Sequence, residues 1–195
     1  MTTSPDTPLV VPFLGARGYL QGPSMLEAIQ GHRGIEPQFT FKVRSRFTTN
    51  RLDLCATPRD GVTPGAEYHW RNPTNSGCLL VYPGPALDPE QRAPFDETLI
   101  TGPASIDGER ISVDRQPPFG LPTVVVSLNK HLLHQIWPIT QPGRWVFMAL
   151  DMETTPDPAQ TLSVVAEKRI ASSLLARSSI HSGQRRIGTV DFIWR

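Results

Sequence analysis

In the stretch YLQGPSMLEAIQ (residues 19–30) one carboxylate, Glu27, stands among apolar residues just after a glycine-proline turn. A carboxyl group partly removed from water at the head of a helix can act as a general acid or base. The residues before it suit the same task. Tyr19 and Gln21 carry donors that can polarise a carbonyl, and Gly22 opens a helix whose first backbone N–H groups have no intrahelical partner. Arg17, in the sequence GARG, can meet an anionic substrate oxygen. Each residue also has a plainer reading. Glu27 follows Ser24 by three residues, the spacing of a capping box with Ser24 as the cap. Tyr19 and Gln21 can be turn packing, and Arg17 a solvated loop charge.

Other reactive side chains are scattered. Asp114 closes a segment that runs into a second turn, QPPFGLP, and is either a second acid or a loop-capping residue. His131 and His134 share one helix face, but HLLH lacks the i,i+4 pair of a zinc helix and no third ligand is evident. His69 and His181 have no partner in sequence and read as structural. Cys55 and Cys78 are the only cysteines, without a CxxC, so free thiols are expected and a disulfide stays open. No GxSxG, P-loop or dinucleotide glycine pattern occurs, so no metal or cofactor is expected.

These residues need elements to hold them. Leu9–Leu14 reads as a short strand. Gly22-Pro23-Ser24 opens a helix with Met25, Leu26 and Ile29 on its apolar face, ending near Gly31–Gly34. QFTFKVRSRF alternates strictly, with Phe39, Phe41, Val43 and Phe47 against Thr40, Lys42, Arg44 and Arg46, the pattern of a half-buried strand. RLDLCA, AEYHWRN and CLLVYPG follow as strands. Residues 83–96 are the most proline-dense stretch and read as the join between halves. ASIDGERISVD is a hairpin around Asp107-Gly108. TVVVSLNKHLLHQIW is a helix stopped by Pro138, and GRWVFMALDM, LSVVAEKRIASSLLARSSI and QRRIGTVDFIW supply further strands. Each half therefore runs strand, Gly-Pro turn, helix, strands, with Gly22 and Gly120 about 100 residues apart. The expected domains are 8–83 and 98–195, joined by a Pro-rich linker 84–97.

Bulk properties exclude several classes. The 195 residues carry a formal charge of +1, too small a field for nucleic-acid binding, and no aromatic-basic repeat reads single strands. Hydrophobic residues are 38 % and charged residues 19 %, a globular balance. The 20 prolines and 15 glycines are dispersed as punctuation, which favours many strands and turns. No signal-peptide pattern opens the chain and no apolar run reaches the roughly 20 residues of a membrane span. A cytoplasmic protein that does not enter membranes is expected.

The order of elements resembles a double hotdog, an α+β fold of two long helices each wrapped by an antiparallel sheet. Hotdog families commonly act on acyl groups carried as thioesters of CoA or acyl carrier protein. Gly22 followed by Pro23-Ser24-Met25-Leu26 and Glu27-Ala28 resembles the central-helix start of β-hydroxyacyl-ACP dehydratases, with the same gap from glycine to acid. GPSMLEAIQ followed by TFKVRSRF also resembles A-factor synthases. The resemblance covers residues 9–47 well and the second half by pattern alone. It implies that Glu27, with Tyr19 or Asp114, does the chemistry, that Arg17, Gln21 and Gly22 bind substrate, and that acyl-CoA or an acyl carrier protein is the partner. Lys42, Arg44 and Arg46 would face an acidic carrier. Further homodimerisation stays open. One position departs: the dehydratase pattern keeps a histidine fourteen residues before the acid, where this chain has Phe13. A dehydratase, thioesterase or acyltransferase with an unorthodox site, a non-catalytic acyl-binding or assembly protein, and an unrelated α+β interaction domain are the three readings.

Overall fold

The strict alternation of QFTFKV does form a strand, and the Gly-Pro turns do open helices. In a computed structural model, which describes residues 8–86, 91–114, 117–170 and 174–195, the chain divides into two units, Met1–Phe95 and Asp96–Arg195.

The first unit contains β1 (Leu9–Val10), β2 (Phe13–Leu14), α1 (Gly22–Arg33), β3 (Gln38–Val43), β4 (Arg51–Cys55), β5 (Ala66–Arg71), β6 (Ser76–Pro83) and β7 (Arg92–Ala93). Its sheet runs β1-β4-β6-β5-β3, with every neighbour antiparallel. On β3, Phe39 and Phe41 turn inward and Gln38 and Lys42 outward, the period-two pattern in three dimensions. Residues 9–14 are two short strands rather than one, and β2 pairs in parallel with β7, Phe13 opposite Arg92. The proline-dense stretch thus returns a strand to the first unit; its residues 87–90 lie outside the described residues.

α1 buries Pro23, Met25, Leu26, Ile29 and Gln30, a stripe at helical spacing. It ends where Gly34 takes φ +98°, a conformation costly for any side chain, and donates its N–H to Gln30 O at 2.8 Å.

The second unit contains α2 (Thr98–Thr101), β8 (Ser105–Asp107), β9 (Arg110–Val113), α3 (Leu121–Ile136), β10 (Trp145–Met152), β11 (Leu162–Ile170), β12 (Leu175–Ser182) and β13 (Arg185–Trp194). The sheet order is β10-β13-β12-β11-β9-β8, antiparallel throughout. α3 packs against β9, β10, β11 and β13. The valine run lowers helix propensity, but Val124, Val125, Leu128, Leu132 and Leu133 are fully buried, and that burial outweighs a few tenths of a kcal/mol per β-branched residue. β13 passes so close to β10 that a Cβ on Gly188 would run into the Asp151 carbonyl oxygen.

A helix lying on a large antiparallel sheet, with few other helices, fits a hotdog fold. Two long helices are the expectation; α3 has 16 residues, whereas α1 has 12 and spans little more than three turns. No helix among the described residues is long and apolar enough to cross a membrane.

Candidate functional site

The segment leading into α1 and the helix's first two turns hold five of the expected residues: Arg17, Tyr19, Gln21, Gly22 and Glu27. Arginines hold it. Arg92, from β7, donates Nη1 to the carbonyl oxygens of Gly15 at 3.1 Å and Arg17 at 3.0 Å, with its guanidinium 5.5 Å from the Phe13 ring. Arg46 lies 4.5 Å over the Tyr19 ring, and Arg17 lies 5.5 Å from that of Phe95. Each such cation–ring contact contributes about 0.5–1 kcal/mol where exposed. With the Gln21 amide turned so that its oxygen faces Arg17, that oxygen accepts from Arg17 Nε at 3.0 Å and from Nη1 as well.

The helix start corrects the capping-box expectation. Gln21 is the N-cap, at φ −83° and ψ 142°, with no side-chain cap bond, and α1 begins at Gly22. Pro23 suits the first turn because its missing N–H would be unpaired there anyway. Ser24 is therefore inside the helix rather than at its cap, and Glu27 falls in the second turn, half-buried. Ser24 Oγ is buried without a hydrogen-bond partner among the described residues. It lies three residues before Glu27, on a neighbouring position of the helix surface. A hydroxyl, a carboxylate and the N–H groups of a helix start can together polarise a carbonyl and move a proton.

Asp114 belongs to the second unit. It is exposed and accepts a hydrogen bond from Thr161 Oγ1 at 2.9 Å, tying the end of β9 to the start of β11. His134 stands edge-on to Trp194 at 6.1 Å, and the partial shielding of its ring from water, with the Lys130 charge, pushes its imidazole below the usual range. No group of three His, Cys, Asp or Glu among the described residues could hold a metal ion.

Cys55 and Cys78 are free thiols. Sequence reading finds no partner for His69, yet its cross-strand neighbour is Cys78. His69 Nε2 lies 3.6 Å from Cys78 Sγ and 3.5 Å from Glu67 Oε2, and Arg44 holds Glu67 at 2.9 Å. One ring nitrogen meets both groups, so the imidazole does not bridge thiol and carboxylate as a relay through two nitrogens requires. Burial, then the Glu67 charge, push the thiol up, which keeps it protonated.

Tyr68 on β5 is fully buried, its hydroxyl has no hydrogen-bond partner among the described residues, and it stacks on Trp70 at 5.8 Å. Burial pushes its phenol up to about 12, with the Glu36 carboxylate adding to the effect and the Arg33 charge and the nearby Gln30 side chain opposing it. A phenol raised in the folded chain binds its proton more tightly there than in the unfolded chain. Stability is then unaffected below pH 10 and falls as pH rises from about 10 to about 12, by on the order of 2 kcal/mol. Tyr68→Phe is expected to abolish that alkaline loss. Denaturant unfolding of both proteins at pH 7 and pH 11 checks it; an equal alkaline loss in both contradicts it.

Among the buried polar atoms that the sequence does not mark are the hydroxyl of Ser24, which reads as a cap, and the side chains of Asn129 and Ser178, inside the apolar faces of α3 and β12. The available signal for Asn129 is a lone amide at a position where helical spacing demands an apolar residue.

No protein-family model matches the chain, and no curated protein matches it. The chain is similar to several solved structures. The enoyl-isomerase of a trans-acyltransferase polyketide synthase is 10 % identical over 98 % of this chain and 100 % of that one, with a TM-score of 0.44. The dehydratase domain of RzxB from Pseudomonas fluorescens is 11 % identical over 98 % of this chain and 90 % of that one, with a TM-score of 0.43. The tesB protein of Mycobacterium avium subspecies paratuberculosis is 12 % identical over 96 % and 93 %, with a TM-score of 0.43.

Proposed function

We propose that the chain is a double hotdog that binds and processes acyl thioesters of CoA or of an acyl carrier protein. The observation that carries this reading is the entry to α1. Arginines 17, 46 and 92 lie along the loop that delivers Gln21 and Gly22 to the helix start, with Glu27 one turn further along α1. Both carriers present a phosphate on a pantetheine arm, and guanidinium groups suit phosphate oxygens. In this reading Arg17, Gln21 and Gly22 bind the carrier arm and the carbonyl, and Glu27 moves the proton, with Tyr19 as a donor. Asp114 is a second acid in the second unit. A helix and an antiparallel sheet in each unit support the double repeat.

Saturating acyl-CoA is expected to raise the thermal midpoint, with stabilisation near 2.7 kcal/mol at about a hundredfold over Kd. No shift across short, medium and long acyl chains overturns the reading. Arg46→Ala is expected to weaken acyl-CoA binding about fivefold and to flatten its salt dependence, because an exposed guanidinium contributes on the order of 1 kcal/mol to an anion. Calorimetric titration at low and high salt measures both; unchanged affinity removes Arg46 from the site.

One observation favours a non-catalytic variant of the same reading. Phe13 occupies the place of the dehydratase histidine and is 1 % exposed, buried beneath Arg92. It can accept no proton. Binding without any change in substrate mass identifies that variant.

A further inference from the structure

The sheet of the second unit has a face turned away from α3. Ile111, Val164 and Ile180 stand in register across β9, β11 and β12, fully buried on the side where the helix packs. Strand alternation turns their neighbours to the other side. There Ser163 stands between Ser112 and His181, and Val165 between Arg110 and Ser179. His181 is also opposite Arg186 of β13.

Two bonds tie this group together. Arg110 donates Nη1 to Ser163 Oγ at 2.6 Å, and His181 Nε2 meets Ser179 Oγ at 2.9 Å. Both serines are buried although they lie on the outward face, whereas Arg110 and Arg186 are exposed and His181 is half-buried. A solute can therefore reach the guanidinium groups and the imidazole from solvent. Two carboxylates border the patch. Asp107 stands opposite Arg110 on β8, and Glu167 lies 4.0 Å from Arg186, a long and exposed ion pair that holds the arginine weakly.

The donor count points to an anion. Arginine donates only, and Ser163, having accepted from Arg110, keeps its own O–H to donate. When the imidazole is neutral, Nε2 accepts from Ser179. When it is charged, Nε2–H donates to Ser179 Oγ and frees that hydroxyl to donate as well. Burial of the ring, with the Arg110 and Arg186 charges, pushes the imidazole below its usual range, and Glu167 and the Gln184 backbone oppose this. An anion against both arginines offsets their charge and lets the ring take its proton. The geometry points to a binding site for a tetrahedral oxyanion, a phosphate or sulfate group, formed by Arg110, Arg186, His181 and the hydroxyls of Ser163 and Ser179. Donors arriving from four strands suit a tetrahedron of oxygens better than the two coplanar oxygens of a carboxylate. Because the bound oxyanion favours charged His181, and coupling is reciprocal, affinity falls as pH rises through the histidine range. The proposal stands independently of the acyl-thioester reading.

The test titrates the whole chain with sodium sulfate and with sodium phosphate, each against sodium chloride at equal ionic strength, while NMR follows the ring protons of the histidines. Either oxyanion is expected to raise the His181 midpoint and leave the other histidines in place. Sulfate, whose charge is constant over this range, is expected to bind about tenfold more weakly at pH 7.5 than at pH 5.5. Arg110→Gln is expected to weaken sulfate about tenfold and to abolish the His181 shift. Arg186→Gln, at a second exposed position, carries the same comparison if the first variant melts early. A shift with one oxyanion alone assigns the site to that group. An unmoved His181 midpoint with both, an equal shift in both arginine variants, or a shift shared by all five histidines overturns the proposal.

Discussion

Glu27→Gln is expected to lower turnover of the preferred acyl thioester by about 10²–10⁴-fold, the usual worth of a positioned acid or base. Binding should change little. Gln has nearly the shape of Glu and equal helix propensity, so the helix is preserved. Glu27 lies in the second turn of α1, half-buried, one helical step from the Ser24 hydroxyl. It is not the capping-box residue that its spacing suggests, since the N-cap is Gln21. Loss of a capping bond therefore cannot mimic loss of catalysis. Steady-state rates paired with thermal midpoints separate the outcomes. Equal rates in both proteins remove Glu27 from the chemistry, and a low rate with a collapsed midpoint makes it structural.

The second large effect is on stability. Phe192→Ala should destabilise the protein by about 3–5 kcal/mol, the range for deleting a buried aromatic ring without full collapse of the cavity. Phe192 is 1 % exposed on β13 and meets Phe147 of β10 edge-on, with ring centroids 6.0 Å apart. It also stands opposite Ala176 on β12, which is too small to fill the space. Chemical denaturation measures the change. A loss below about 1 kcal/mol would mean that the layer between α3 and its sheet is not close-packed there.

Much of the fold is legible in the chain because its signals are local. Phe39 and Phe41 alternate with Thr40 and Lys42 and make β3. Asp107-Gly108 makes the β8–β9 hairpin, and Gly120 and Pro138 bracket α3. Errors arise where two local rules compete or where distance in sequence matters. Ser24-x-x-Glu27 matches a capping box, but Pro23 fits the first turn of a helix as well, and the chain takes the earlier start at Gly22. The parallel pairing of Phe13 with Arg92 joins residues far apart in sequence through a two-residue strand, too short for any periodicity. The clamp of Arg46 on Tyr19 and the meeting of His69 with Cys78 depend on tertiary register. Ser178 alternates correctly with its neighbours and so looks like an ordinary strand residue; only its burial without a partner marks it.

We propose above that the chain takes acyl thioesters. Native mass spectrometry of the purified protein, incubated with panels of acyl-CoA and acyl-ACP, tests it most directly. The expected spectrum shows a complex carrying one or more acyl thioesters, together with a loss of water or of the acyl group from the preferred substrate. Free protein alone, with every thioester in both panels unbound and unchanged, would contradict it.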